Sequence, residues 1–163
     1  KLCEILKKNS KTIIYFASSI HSDKNNEYGK SKKKGEEIFL ELEKKNGNKV
    51  YILKLPRIFG MGCKPNYNSV VATFCNNVVN KIDLNIFEPK QQIELVFIDD
   101  LCKQLANLIN KNKNKNNYIE IEKIYKISIE ELAIMIKNFK PNSYVEGYRG
   151  LEKKLYKTFL SYK

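Results

Sequence analysis

One alternation constrains this chain more than any other feature: a short apolar run, a long Lys- and Glu-rich amphipathic stretch, then a second short apolar run. Residues 12–17 (Thr-Ile-Ile-Tyr-Phe-Ala) have the length and residue types of a strand buried in a parallel sheet. Residues 28 to about 46 read as a helix, and Asn46-Gly47-Asn48 supplies its glycine stop. Residues 50–53 (Val-Tyr-Ile-Leu) form the next strand, closed by Pro56. The pattern continues downstream. Residues 69–79 place Val70, Val71, Phe74, Cys75 and Val78 at helical spacing, and 93–98 read as a strand. Asp99 and Asp100 favour a helix N-terminus over 101–109. Residues 118–121 read as a strand, and Ser128-Ile-Glu-Glu131 as a capping box opening a helix to about 139. Strands alternating with helices predict an α/β fold, a parallel sheet with crossovers. In such sheets ligands sit beyond the carboxyl ends of strands. Ser18 and Ser19 fall at one such end and the 57–67 loop at another, so the spacing predicts a shared cleft.

Length bounds the rest. A chain of 163 residues holds one sizeable core and one domain by default. No apolar run is long enough to span a membrane, and no signal-peptide layout is present. The formal net charge of +12 raises a nucleic-acid reading. The excess is almost all Lys, with Arg57 and Arg149 the only arginines, and it is diluted with Asn along 110–117. That tract reads as a solvated loop and lacks the Arg and stacked aromatics of a nucleic-acid surface. The four cysteines (Cys3, Cys63, Cys75, Cys102) form no C-x-x-C, and His21 is the only histidine. No metal site is expected, and free thiols fit a cytoplasmic protein.

The chemistry-bearing motif is Tyr28-x-x-x-Lys32, at the start of the first long helix. Four-residue spacing puts phenol and ammonium on one helix face, one turn apart. A cation there favours the phenolate, so the phenol can give up and regain a proton. Among 10 tyrosines and so many lysines, roughly one or two such pairs arise by chance. Context gives this one its weight: a Ser pair at a strand end just upstream, small residues Gly29 and Ser31 beside Tyr28, and an apolar run from Ile38 to Leu40 after it.

With these residues the chain resembles the extended short-chain dehydrogenase/reductases that act on nucleotide sugars. Within them it is most similar to the reductases that join a Rossmann domain to a cupin in bacterial capsule and O-antigen synthesis. The most specific segment runs from Phe59 through Gly60-Met-Gly62-Cys63-Lys64-Pro65-Asn66-Tyr67-Asn68-Ser69 to Cys75. Ser18-Ser19-Ile20, the 96–100 segment and the basic, aromatic tail at 156–162 support it. The resemblance implies a partial NAD(P)-binding Rossmann-like parallel sheet with the small substrate-binding subdomain of these enzymes, and NADPH-dependent reduction of a UDP-linked 4-keto-6-deoxy-N-acetylhexosamine. It implies a catalytic Ser19, Tyr28 and Lys32, with Tyr28 and Lys32 also meeting the NADP cofactor. Ser19 is preferred over Ser18 by its place at the strand end. Lys64, Asn66, Tyr67 and Asn68 would hold the UDP-sugar, and a homodimer is expected for the whole protein.

The departures define expectations too. None of the 7 glycines forms the G-x-x-G-x-x-G or G-x-G-x-x-G turn that cradles a dinucleotide pyrophosphate. Residues 1–150 therefore read as the C-terminal part of the reductase domain, and 151–163 as a linker toward an absent cupin. On that reading these residues alone neither bind NADPH tightly nor reduce a keto-sugar. Arg57 stands where many nucleotide-sugar members carry Asn. Ile20 and His21 occupy the places where 4,6-dehydratases carry an acidic pair, so that chemistry lacks its residues. A nucleotide-sugar 4-epimerase uses the same Ser, Tyr and Lys and is the alternative enzyme. A catalytically silent basic fragment is the alternative outside enzymology.

Overall fold

A computed structural model describes residues 2–111, 116–140 and 145–163. The chain divides into two compact units: residues 1–56 with 106–122, and residues 57–105 with 123–163.

The first unit opens with a short helix, α1 (Leu2–Leu6), followed by β1 (Ile14–Ser19), α2 (Glu27–Asn46) and β2 (Val50–Leu55). β1 and β2 pair in parallel, from Ile14 opposite Val50 to Ser19 opposite Leu55. A short strand, β5 (Tyr118–Ile119), adds in parallel on the other side of β2, giving the order β1-β2-β5. This is the strand–helix–strand crossover that the alternation predicts, and it forms because α2 is long enough to return the chain to the starting edge. Its boundaries follow local chemistry. The Asn26 side chain accepts a hydrogen bond from the Gly29 N–H at 2.7 Å, capping the first turn of α2, and left-handed Gly47 ends the helix. The core is Ile14, Leu42, Val50 and Ile52, flanked by Leu6, Phe16, Phe39 and Leu40. Phe16 packs where Gly35 leaves room; a Cβ at Gly35 would stand 2.6 Å from the Phe16 ring. β1 starts two residues later than its apolar run and carries both serines inside the strand.

The second unit contains β3 (Arg57–Phe59), α3 (Val70–Val79), β4 (Gln92–Phe97), the start of α4 (Ile98–Lys111), β6 (Tyr125–Ser128), α5 (Ile129–Lys137) and α6 (Gly150–Leu160). Its sheet is mixed, in the order β3-β4-β6, with β3 parallel and β6 antiparallel to β4. The core gathers Phe59, Phe74, Ile93, Leu95, Leu132, Ile136, Phe139, Leu155, Tyr156 and Phe159.

Three expectations change. The parallel sheet is divided between two three-stranded sheets among the described residues, the second of them mixed. Pro56 marks the division: with no N–H to donate, it interrupts the extended run between β2 and β3, which then join different sheets. Residues 57–59, read from sequence as loop, are strand, so the loop begins at Gly60. Residues 151–160, read as linker, are helical and bury Leu155, Tyr156, Thr158 and Phe159 in the second unit's core. Half of the Asn/Lys tract, residues 112–115, lies outside the described residues, and its first two residues extend α4.

Candidate active site

The site of the first unit is built where β1 ends and α2 begins. Ser19, the last residue of β1, is 5% exposed, and its Oγ accepts a hydrogen bond from the His21 N–H at 3.1 Å. The Ser22 N–H bonds back to the Ser19 carbonyl at 2.9 Å, so the chain leaves the strand through a tight turn. Asp23 pins the loop that follows. Its carboxylate receives the Lys54 ammonium from β2 at 2.5 Å and the Lys33 ammonium from α2 at 3.0 Å. Those two hydrogen bonds, Lys54 first, hold the Asp23 carboxyl below its ordinary range.

Against this loop sits the first turn of α2. A Cβ on Gly29 would stand 2.3 Å from the Lys24 carbonyl oxygen and 2.6 Å from that of His21, so only glycine allows the approach. Tyr28 is thereby held beside the loop that leaves Ser19, and it is 55% exposed. One turn later the Lys32 Nζ donates to the Ala17 carbonyl at 3.0 Å and lies 5.9 Å from the Tyr28 ring centroid. Tyr28 and Lys32 share a helix face, as their spacing predicts, and Lys32 ties that face to the strand that ends in Ser19.

The two serines differ in their surroundings. Alternation along β1 points them to opposite faces. Ser18 Oγ donates to the buried Glu36 carboxylate on α2. The Ser18 hydroxyl is thus committed to structure.

The second unit carries the other candidate residues on the loop before α3. Lys64, Asn66, Tyr67 and Asn68 are all exposed, Tyr67 at 74%. The Lys64 ammonium lies 5.8 Å from the Tyr67 ring centroid. Asn66 is left-handed at φ 53°, and its N–H donates to Thr73 Oγ1 at 2.9 Å. Ser69 caps α3 by accepting from the Ala72 N–H at 3.3 Å. The loop is therefore held by its backbone, with the four polar tips left outward. Tyr162, beyond the end of α6, donates its hydroxyl to the Cys63 carbonyl. Burial, with Cys63 and Cys75 beside it, pushes that phenol up to about 12, so it remains a donor.

Two of these anchors were not legible as site residues in the sequence. Glu36 looks like any helix glutamate, although its four-residue spacing from Lys32 is a signal that it shares the face of Tyr28 and Lys32. Tyr162 lies far along the chain from Cys63 and gives no local signal. Among the described residues no cluster of three or more His, Cys, Asp or Glu side chains is placed to hold a metal ion, and no helix is long and apolar enough to cross a membrane.

The profile of the NAD dependent epimerase/dehydratase family matches residues 3–127, most of the chain. The chain belongs to that family. It is 36% identical, over 99% of its length, to the UDP-2-acetamido-2,6-beta-L-arabino-hexul-4-ose reductase of Pseudomonas aeruginosa, covering 45% of that protein. It superposes with a TM-score of 0.88 on the capsular polysaccharide assembling protein CapF of Staphylococcus aureus, at 31% identity, 99% of this chain and 45% of that one. The UDP-glucose 4-epimerase of Thermotoga maritima, solved with UDP-glucose, shares the fold at 19% identity and a TM-score of 0.80, over 99% of this chain and 66% of that one. The chain spans less than half the length of the Pseudomonas and Staphylococcus relatives. The family and the α/β fold agree with the resemblance read from sequence.

Proposed function

We propose that this chain is the proton-delivering part of a reductase acting on a UDP-linked 4-keto-6-deoxy-N-acetylhexosamine in bacterial capsule or O-antigen sugar synthesis. The observation that carries the reading is the 36% identity, along almost the whole chain, to a reductase of a UDP-linked hexul-4-ose.

The residues present fit a nicotinamide dinucleotide at its nicotinamide end. The Lys32 ammonium has three donors and spends one on Ala17, leaving others for ribose hydroxyls, and Tyr28 stands exposed one turn away. The pyrophosphate-cradling glycine turn is not among the residues of this sequence. When bound, the dinucleotide, which we take to be NADPH, supplies the hydride that reduces C4. The chain's own residues manage the oxygen. Ser19 donates a hydrogen bond to the C4 oxygen, where negative charge develops. Tyr28 gives that oxygen its proton and becomes a phenolate. Lys32, bound to Ala17, stabilises the phenolate by its charge. Lys64 suits the UDP pyrophosphate, and Asn66, Tyr67 and Asn68 suit sugar and uracil groups. We further propose a homodimer and a cytoplasmic location; the free cysteines are compatible with the latter.

The epimerase reading rests on the same fold. The two separate on stoichiometry: reduction consumes one NADPH per keto-sugar, whereas 4-epimerisation returns its hydride and consumes none. In the complete protein to which these residues belong, keto-sugar-dependent loss of NADPH absorbance supports the reductase. Interconversion of UDP-hexoses without that loss overturns it.

A further inference from the structure

Glu36 is the one charged residue in the buried set among the described residues, at 0% exposure. A carboxylate is taken out of water at a cost unless it is paired and hydrogen-bonded. Here Oε1 accepts from Ser18 Oγ, Oε2 accepts from the Tyr118 hydroxyl at 3.3 Å, and the Lys33 ammonium lies 4.0 Å away. Burial first, and then the Glu36 charge, raise the Tyr118 phenol above its ordinary value of 10, so it stays a donor. Ser18 is on β1 and Tyr118 on β5, the strands on either side of β2. One side chain from α2 therefore straps both neighbours of the central strand.

The placement along α2 connects the strap to the chemistry. Tyr28, Lys32 and Glu36 recur every four residues and share a face. Lys32 holds the carbonyl of Ala17, and Glu36 holds the hydroxyl of Ser18. Two successive turns of the helix grip two successive residues of the strand, and the next residue is Ser19. A slip of α2 along β1 breaks both grips together. Burial alone does not require a carboxylate here, since an apolar side chain of similar volume commonly serves stability as well or better. What the carboxylate adds is direction: two hydrogen bonds of fixed geometry.

We propose that Glu36 is the positioning residue of the centre formed by Ser19, Tyr28 and Lys32, setting the register of α2 on β1. The inference rests on the reading of that centre given under Proposed function, and its test separates the two. Ser18→Ala with Glu36→Met replaces the strap with apolar volume and leaves no orphan hydroxyl on β1. Glu36→Gln keeps the shape, since its amide can accept from one hydroxyl and donate to the other. In the complete protein, the Ser18→Ala/Glu36→Met variant should melt near the wild type yet lose tenfold or more in kcat with KM little changed. A 1 Å misplacement costs about a hundredfold. Glu36→Gln should restore kcat to within about threefold. Wild-type kcat in the apolar variant, or an equal loss in Glu36→Gln, overturns the proposal.

A second readout does not use activity. Nitrogen-15 spectra of lysine side chains, with Lys32 assigned by Lys32→Arg, report the protection of the ammonium that binds Ala17. That protection should persist in Glu36→Gln and vanish in the apolar variant; its survival there overturns the proposal even if Tyr28 proves not to be the acid. Should the apolar variant fail to fold, Ser18→Ala alone carries the test, with a severalfold loss in kcat expected and wild-type kcat refuting it. Near-normal turnover in Tyr28→Phe would refute the catalytic reading without touching the lysine result.

Discussion

Gly29→Ala places a methyl group where the site is tightest. In a helix, alanine is favoured over glycine by about 1 kcal/mol, so propensity alone predicts a gain in stability. The surroundings reverse the sign. The new Cβ would stand 2.3 Å from the Lys24 carbonyl oxygen and 2.6 Å from that of His21, whereas ordinary contact begins near 3.4 Å. Both opposing atoms are backbone, and the loop that carries them is pinned by Asp23 to Lys33 and Lys54. Relief therefore requires the first turn of α2 to move by about 1 Å, at the cost of about 1–3 kcal/mol typical of overpacking. Tyr28 is the adjacent residue and moves with it. A displacement of that size at a reacting group costs about a hundredfold in rate. Thermal unfolding and steady-state turnover of the complete protein check both parts. The variant should melt lower than the wild type and turn over about a hundredfold more slowly, with a smaller change in KM. A variant that melts higher and keeps its kcat would refute the reasoning, because it would show that the loop yields freely to α2.

Three further expectations concern stability and reactivity. Ser128→Ala removes a capping box in which Ser128 Oγ accepts from the Glu131 N–H at 3.2 Å and Glu131 accepts from the Ser128 N–H at 2.9 Å; it should cost about 1 kcal/mol in denaturant unfolding, and no loss would argue against the cap. Asp23 is held below its ordinary value of 3.8 by Lys54 and Lys33, so its contribution to stability is fully present above that pH and is lost as pH falls through the lowered value; acid titration of the melting temperature should show this fall in the wild type and a shallower one in Asp23→Asn, and identical curves would contradict it. Burial pushes the Cys75 thiol up to about 12, whereas Cys102 is exposed, so a thiol reagent at neutral pH should label Cys102 in the native protein and Cys75 only on unfolding.

The parts of the fold that were legible in the sequence are those set by local chemistry. The crossover from β1 through α2 to β2 follows from apolar runs on either side of an amphipathic stretch with a glycine stop. The cap at Ser128 and the acidic start of α4 are likewise local signals. The division into two sheets was not legible, because Pro56 reads as a strand end and nothing near it says which partners the two halves take. β6 was missed because four residues, Tyr125–Ser128, give too little alternation to stand out beside a helix start. α6 was missed because its charges mask the spacing of Leu155, Tyr156 and Phe159. In the candidate site, the shared helix face of Tyr28 and Lys32 was legible from their spacing. The choice of Ser19 over Ser18 rested on strand position in the sequence, and the structure adds a separate reason in the bond from Ser18 to Glu36. Such partners are distant in sequence, so only the packed fold reveals them.

The central claim is that Tyr28 delivers the proton to the reduced keto-sugar. Tyr28→Phe removes the hydroxyl and keeps the ring, and Tyr28 is exposed, so the change disturbs little packing. Steady-state reduction of the UDP-linked 4-keto-sugar by the complete protein, wild type beside Tyr28→Phe, tests the claim directly. The account predicts a fall in kcat of about a hundredfold or more with only a modest change in substrate binding. Near-normal turnover in the variant would contradict it.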